Sequence, residues 1–125
     1  MLGICAGMQI MARLGSNDTL VQKANSEMHS EKTHHISIPK DTLLYEILGE
    51  QNILINSFHN NCISSSGLNR ISATCAEDGV IEAIENDTVN FFLGVQWHPE
   101  KTFDTDKNSQ KIFKYLIGQA NKRKM

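Results

Sequence analysis

Gly3-Ile4-Cys5-Ala6-Gly7 is the stretch on which the reading of this chain turns. Met1 to Ile4 reads as the stub of a strand. From Met8 onward, Met8, Ile10, Met11, Ala12 and Leu14 suit a short buried helix that stops at Gly15. A cysteine between glycines at a strand-to-helix junction is a thiol version of the nucleophile elbow. So tight a turn tolerates little beyond glycine beside it, and it thrusts the central side chain outward. A thiol there sits at a helix N-terminus, where the dipole and free N–H groups favour the thiolate. The N–H of Ala6 aims where an oxyanion would develop. Taken alone, the same residues also fit a small hydrophobe buried in an α/β core.

A cysteine nucleophile needs a base, and the base needs an acceptor to orient it. The chain offers both in Gly94-Val95-Gln96-Trp97-His98-Pro99-Glu100, after an apolar strand over Phe91 to Trp97. His98 and Glu100 are two apart in a stretch stiffened by Pro99, so an extended backbone turns both side chains the same way. Without Cys5 this would pass for a solvated surface loop.

Between the two motifs the elements are short. Ser16 to Thr19 is turn chemistry, and residues 20 to 33 read as a loop. His34 to Pro39 alternates, with His34, Ile36 and Ile38 on one face and His35 and Ser37 on the other. Asp41 can cap a helix over Thr42 to Leu48 that ends at Gly49. Asn52 to Ser57 is a compact strand. Ile71 to Ala76 and Val80 to Ile84 flank Glu77-Asp78-Gly79, the clearest hairpin signal in the chain. From Lys107 the tail is helical, with Ile112, Phe113, Leu116, Ile117 and Ala120 on one face and Lys122-Arg123-Lys124 at the cation-favouring end. With no repeat and no linker, one α/β domain is the simplest account.

Composition narrows the partners. Across 125 residues, 12 Lys and Arg against 14 Asp and Glu give a net charge of −2, which offers no electrostatic reason to expect nucleic acid or a membrane surface. Hydrophobic residues at 40% are too many for disorder, yet no apolar run nears the roughly 20 residues that span a bilayer. Met1-Leu2-Gly3-Ile4-Cys5 has no basic segment or cleavage site of a signal peptide. Cys5, Cys62 and Cys75 are odd in number and lack CxxC spacing, so reduced cytoplasmic thiols are expected, with no disulfide framework and no zinc site. Cys62 and Cys75 read as core residues and His29 as solvated. His34 and His35, on opposite faces, cannot share one metal ion.

Together the two motifs resemble class I glutamine amidotransferases, and most closely the γ-glutamyl-γ-aminobutyrate hydrolase-like (peptidase C26) branch. Gly3 to Gln9 looks like that family's nucleophile turn and Gly94 to Glu100 like its histidine–glutamate motif. His34-His35-Ile36, Asn56-Ser57-Phe58-His59 and Asp78 to Glu85 look like further landmarks in the same order. The resemblance implies an α/β, flavodoxin-like sheet and a Cys5–His98–Glu100 triad. Cys5 would attack a γ-glutamyl amide carbonyl, passing through a γ-glutamyl thioester that water then cleaves. Ala6 would supply an oxyanion N–H, Gln9 would brace the elbow or touch substrate, and His59 would line the site or serve as a core hydrogen-bonding residue. No metal or organic cofactor is implied. The partners implied are a γ-glutamyl amide or glutamine and, for some members, a synthase subunit.

Three features depart from the family pattern. Ala6 stands where the closer branch usually has arginine, and Asn60-Asn61 where relatives often carry histidine and glutamine, which bears on substrate recognition. In the family the nucleophile strand is also central, and upstream residues supply parallel strands and a second oxyanion N–H, whereas four residues precede Cys5 here. Losing one such donor typically costs about 100- to 1000-fold in rate. The expectation is therefore that residues 1–125 form the C-terminal part of a glutamine amidotransferase domain, truncated at its N-terminus. Two readings follow: a γ-glutamyl amide hydrolase, or an inactive remnant or half of a split protein that needs an N-terminal partner.

Overall fold

The structure, a computed structural model, describes residues 1–13, 21–23, 32–58, 61–67, 69–86 and 92–123. Among these, β1 (Leu2–Ile4) leads into α1 (Ala6–Arg13), followed by β2 (Val21–Lys23) and β3 (Lys32–Ser37). Next come α2 (Leu43–Leu48), β4 (Asn52–Ser57), β5 (Asn61–Ile63), β6 (Arg70–Cys75) and β7 (Ile81–Glu85). The order closes with β8 (Leu93–Val95), a 3-10 turn at Pro99–Lys101 and α3 (Lys107–Arg123).

Six strands form one mixed sheet in the order β1-β8-β7-β6-β3-β4, and β2 pairs with β5 in a separate ribbon. Only β1 and β8 run parallel; every other neighbouring pair is antiparallel. One face of the sheet is covered by α1, whose Met8, Met11 and Ala12 pack with Ile63, Ile81 and Ile84. The other carries the larger core, where Leu44 and Leu48 of α2 and Ile112 of α3 meet Ile36, Ile53, Ile55, Leu93, Val95 and Trp97. The expected α/β class stands, as a sheet layered between helices. No helix among the described residues is long and apolar enough to cross a membrane.

The alternation read into β3 is realised. His34, Ile36 and Ile38 are buried, while His35 and Ser37 are exposed. The hairpin β6–β7 forms around Gly79, whose φ of 74° is the left-handed value the Asp-Gly signal calls for.

Several expectations are corrected. The segment 20–33, read as loop, holds β2 and the start of β3, because pairing partners on β5 and β4 outweigh the polar composition. The cap of α2 is Thr42, not Asp41. The Thr42 Oγ1 accepts from Tyr45 N at 3.2 Å, whereas the Asp41 carboxylate faces the Arg70 guanidinium. The buried Glu85 carboxylate adds two further acceptors, from Leu43 N at 2.7 Å and Leu44 N at 3.1 Å. Gly49 ends the helix as expected, with φ 75° and its N–H on Tyr45 O at 2.7 Å. The α1 helix begins at Ala6 rather than Met8, and β8 is shorter than Phe91 to Trp97. On α3, Ile112 is buried but Ile117 is 59% exposed and Ala120 is exposed, so the apolar stripe is only partly covered. Leu14, Gly15, Ser16 to Thr19, His29, His59, Asn60 and Lys124 lie outside the described residues.

Candidate active site

β1 and β8 are neighbours in parallel register, with Leu2, Gly3 and Ile4 opposite Leu93, Gly94 and Val95. Cys5 directly follows β1 and His98 follows β8 by three residues, so both motifs leave the sheet at the same end. The Cys5 N–H donates to Val95 O at 2.8 Å, extending the ladder one step into the turn.

Cys5 has φ 52°, the one non-glycine residue with positive φ among the described residues. A left-handed conformation costs an L-residue about 1–2 kcal/mol and is retained where the surroundings dictate it. Here α1 is what dictates it. A Cβ on Gly3 would meet Met11 and, at 2.9 Å, the Gly7 backbone, and one on Gly94 would meet Met8 Cγ at 2.7 Å. These two glycines are register partners. They form a bare strip on which α1 lies, fixing its N-terminus above the elbow. Gly7 differs from the expectation: a Cβ there meets nothing within 4 Å, so its position does not demand glycine on steric grounds.

The thiol is half-buried, and burial pushes its pKa up. A hydrogen bond from the Ala6 amide and another from Gln96 oppose this without overcoming it. The charge of Glu100 adds to the rise, and that of Lys101 reduces it. The expected thiolate is therefore not favoured, because desolvation outweighs what the helix N-terminus gives back.

Gln96 is the link that sequence reasoning missed. It is fully buried. Its Nε2 donates to the Cys5 sulfur at 3.5 Å, and its Oε1 accepts from Gln9 Nε2 at 3.3 Å. Gln9 Nε2 also lies 3.3 Å from Asn61 O. Gln9, anticipated as brace or substrate contact, is thus placed to brace the elbow through Gln96. The signal was present, since Gln96 lies inside the quoted motif two residues before His98.

His98 and Glu100 meet, with Nδ1 to Oε2 at 2.7 Å. A carboxylate only accepts, so Nδ1 carries the proton and Nε2 is left as the basic nitrogen. The route differs from the extended one expected. His98 has φ −112° and ψ 81°, and Glu100 sits in the 3-10 turn that Pro99 opens. Asn56 holds this segment at both ends of one residue, its Oδ1 accepting from His98 N at 2.9 Å and its Nδ2 donating to His98 O at 2.8 Å. Phe58 meets the His98 ring edge-on at 6.2 Å.

One other cluster could gather ligand atoms among the described residues: His34, Cys75 and Glu82, all buried, with donors within 4.8 Å of one another. His34 Nε2 lies 3.6 Å from Glu82 Oε2. The Cys75 sulfur is already engaged by the Glu77 and Asp78 amides of the hairpin. This group reads as the polar core of three adjacent strands. Cys62 and Cys75 are buried, as expected of core residues.

With this geometry in place, comparison with known proteins decides the family. The peptidase C26 family model matches residues 1–100. The chain belongs to the peptidase C26 family. A Lactococcus lactis protein of this kind, YvdE, named as glutamine amidotransferase-like, is 33% identical over 122 residues, covering 90% of this chain and 50% of its own. Two solved structures share the fold. One, described as a GMP synthase component from Thermoplasma acidophilum, has a TM-score of 0.76 at 24% identity over 98% of this chain and 58% of its own. The other, the glutaminase domain of Trypanosoma brucei CTPS with bound acivicin, has a TM-score of 0.72 at 17% identity over 96% and 60%. This C26 chain is glutamine amidotransferase-like, and it spans about half the length of the curated relatives it matches.

Proposed function

We propose that Cys5, His98 and Glu100 hydrolyse the side-chain amide of glutamine or another γ-glutamyl compound. The observation that carries this reading is the 2.7 Å pairing of His98 Nδ1 with Glu100, just beyond the strand next to the one that presents Cys5. His98 Nε2 takes the thiol proton as the sulfur attacks the amide carbon, which suits a thiol that stays protonated until substrate arrives. The oxyanion of the tetrahedral intermediate faces the Ala6 N–H. Its collapse breaks the C–N bond, and His98 returns the proton to the leaving amine. Water, deprotonated by His98, then opens the γ-glutamyl thioester and releases the acid. The three cysteines form no disulfide with one another, which suits a reducing cytoplasm.

A second reading is favoured by one feature of the sheet. Among the described residues β1 pairs only with β8, so the strand that carries the nucleophile has an open edge. Polypeptide pairing there, whether an N-terminal half of the same domain or a synthase partner, would complete the site, and without it the triad would be present but inactive.

Intact-mass labelling with a glutamine-mimicking chloroketone separates the two, with Cys62 and Cys75 as internal controls. Saturable labelling of Cys5 that disappears in His98→Ala supports an assembled hydrolase site. Equal or absent labelling of all three thiols overturns that reading and favours the completed-site alternative.

A further inference from the structure

Lys101 closes the turn that carries Glu100, and its position is unusual for a surface lysine. Its Nζ stands 4.1 Å above the centre of the Phe58 ring, and the same ring abuts His98. Phe58 is 39% exposed, so this cation waits beside the catalytic loop where a ligand can reach it. Among the described residues no carboxylate lies within ion-pairing distance of it, and the carboxylate beside it in sequence, Glu100, is occupied by His98. A cation–π contact at an exposed site holds an ammonium with about 0.5–1 kcal/mol and leaves its charge available to a further anion.

The electrostatics give that charge a use. Of the charged groups whose field reaches the Cys5 sulfur, Glu100 is the anion and Lys101 the cation. A γ-glutamyl compound carries a free α-carboxylate besides its scissile amide. Approaching a site that holds Glu100 and a nascent thiolate, that carboxylate meets repulsion unless a cation stands nearby. An acyl amide lacking it meets none.

We propose that Lys101, held over Phe58, is the carboxylate-binding group of this site and receives the α-carboxylate of the γ-glutamyl substrate. It thereby selects glutamyl over neutral acyl amides. This rests on the hydrolase reading given above. Phe58 acts as the rest on which the ammonium is held, and because it also touches His98, a bound carboxylate is drawn to the side of the site where the base lies.

The test uses two chloroketones with one warhead, one bearing the α-carboxylate and one with that group converted to a primary amide. Each is titrated against the intact chain, Lys101→Met and Lys101→Arg, following Cys5 by mass. In the unsubstituted chain the carboxylate reagent is expected to half-saturate at about fivefold lower concentration, with the same maximal rate. Lys101→Met should abolish that preference, any change it makes through the thiol being common to both reagents, while Lys101→Arg keeps most of it. Raising the salt concentration should shrink it. Saturable Cys5 labelling with no carboxylate preference, or a preference that survives in Lys101→Met, overturns the Lys101 assignment while the hydrolase reading stands. Cys5 reacting no faster than Cys62 and Cys75 overturns both.

Discussion

Cys5 combines two unfavourable conditions, a left-handed backbone at φ 52° and a half-buried thiol whose pKa is pushed up. Neither helps the chain fold: the left-handed backbone is what the sharp turn imposes on its central residue, and the raised pKa keeps the thiol protonated, which by itself makes it a weaker nucleophile. The strain is measurable without any activity. Cys5→Ala and Cys5→Gly both remove the sulfur, but only glycine adopts positive φ without a Cβ penalty. Cys5→Gly is expected to be more stable than Cys5→Ala by about 1 kcal/mol in urea unfolding at pH 7. Equal stability of the two would mean that the elbow is not strained in solution. At this scale the sequence was partly legible. Cys5, His98 and Glu100 stand where their motifs put them, and His98 with Glu100 makes the expected pair. The contacts of Gln96 with Cys5 and of Asn56 with His98 were missed, because an amide side chain carries no signature of its own and makes these bonds by reaching across strands.

At the scale of elements, the placing of α1 depends on the register that sets Gly3 opposite Gly94. A methyl group at Gly94 would fall 2.7 Å from Met8 Cγ and 3.1 Å from Ile84 Cγ1. Met8 is fully buried and has little room to retreat. Gly94→Ala is therefore expected to cost about 1–3 kcal/mol by overpacking and to tilt α1 off the elbow. A lowered urea midpoint together with loss of saturable Cys5 labelling would bear this out, whereas an unchanged midpoint would show that Met8 can repack. Local pattern revealed those elements whose signals are self-contained. Strand β4, the β6–β7 hairpin and the Gly49 stop were all readable from short-range chemistry. Strand β2 was not, because its three residues are ordered by β5 some forty positions later, a pairing that no local pattern encodes. The cap of α2 was misassigned by one residue for a similar reason, since Asp41 is drawn to Arg70 and leaves the helix end to Thr42 and Glu85.

At the scale of the whole molecule, three acids among the described residues make stability fall at alkaline pH. Cys5, Cys75 and Tyr115 all have raised pKa values, each chiefly because burial penalises the charged form. The two thiols start from an ordinary value of 9.0 and the phenol from 10.0. As the pH climbs past these values the unfolded chain releases its protons first, while the folded chain still holds them. The unfolded state then binds fewer protons than the native one, so stability falls as the pH rises. The contribution of these groups is fully present below about pH 8 and is lost progressively through the ordinary thiol and phenol range. Urea midpoints measured from about pH 7.5 to 10.5 should decline monotonically with little change in the slope of the transition. Tyr115→Phe, which removes one of the three groups and keeps the ring on α3, should flatten the upper end of that decline, above the phenol value, and leave the thiol range untouched. A midpoint that holds steady to pH 10.5, or a decline that Tyr115→Phe does not alter, would mean that these groups are as well solvated in the folded chain as in the unfolded one. The same comparison bears on the edge of β1 that no described strand pairs with. Polypeptide paired against that strand would bury Cys5 further, so its addition should make the alkaline decline steeper in the thiol range, while Tyr115, packed on the opposite face of the sheet, keeps its own contribution unchanged.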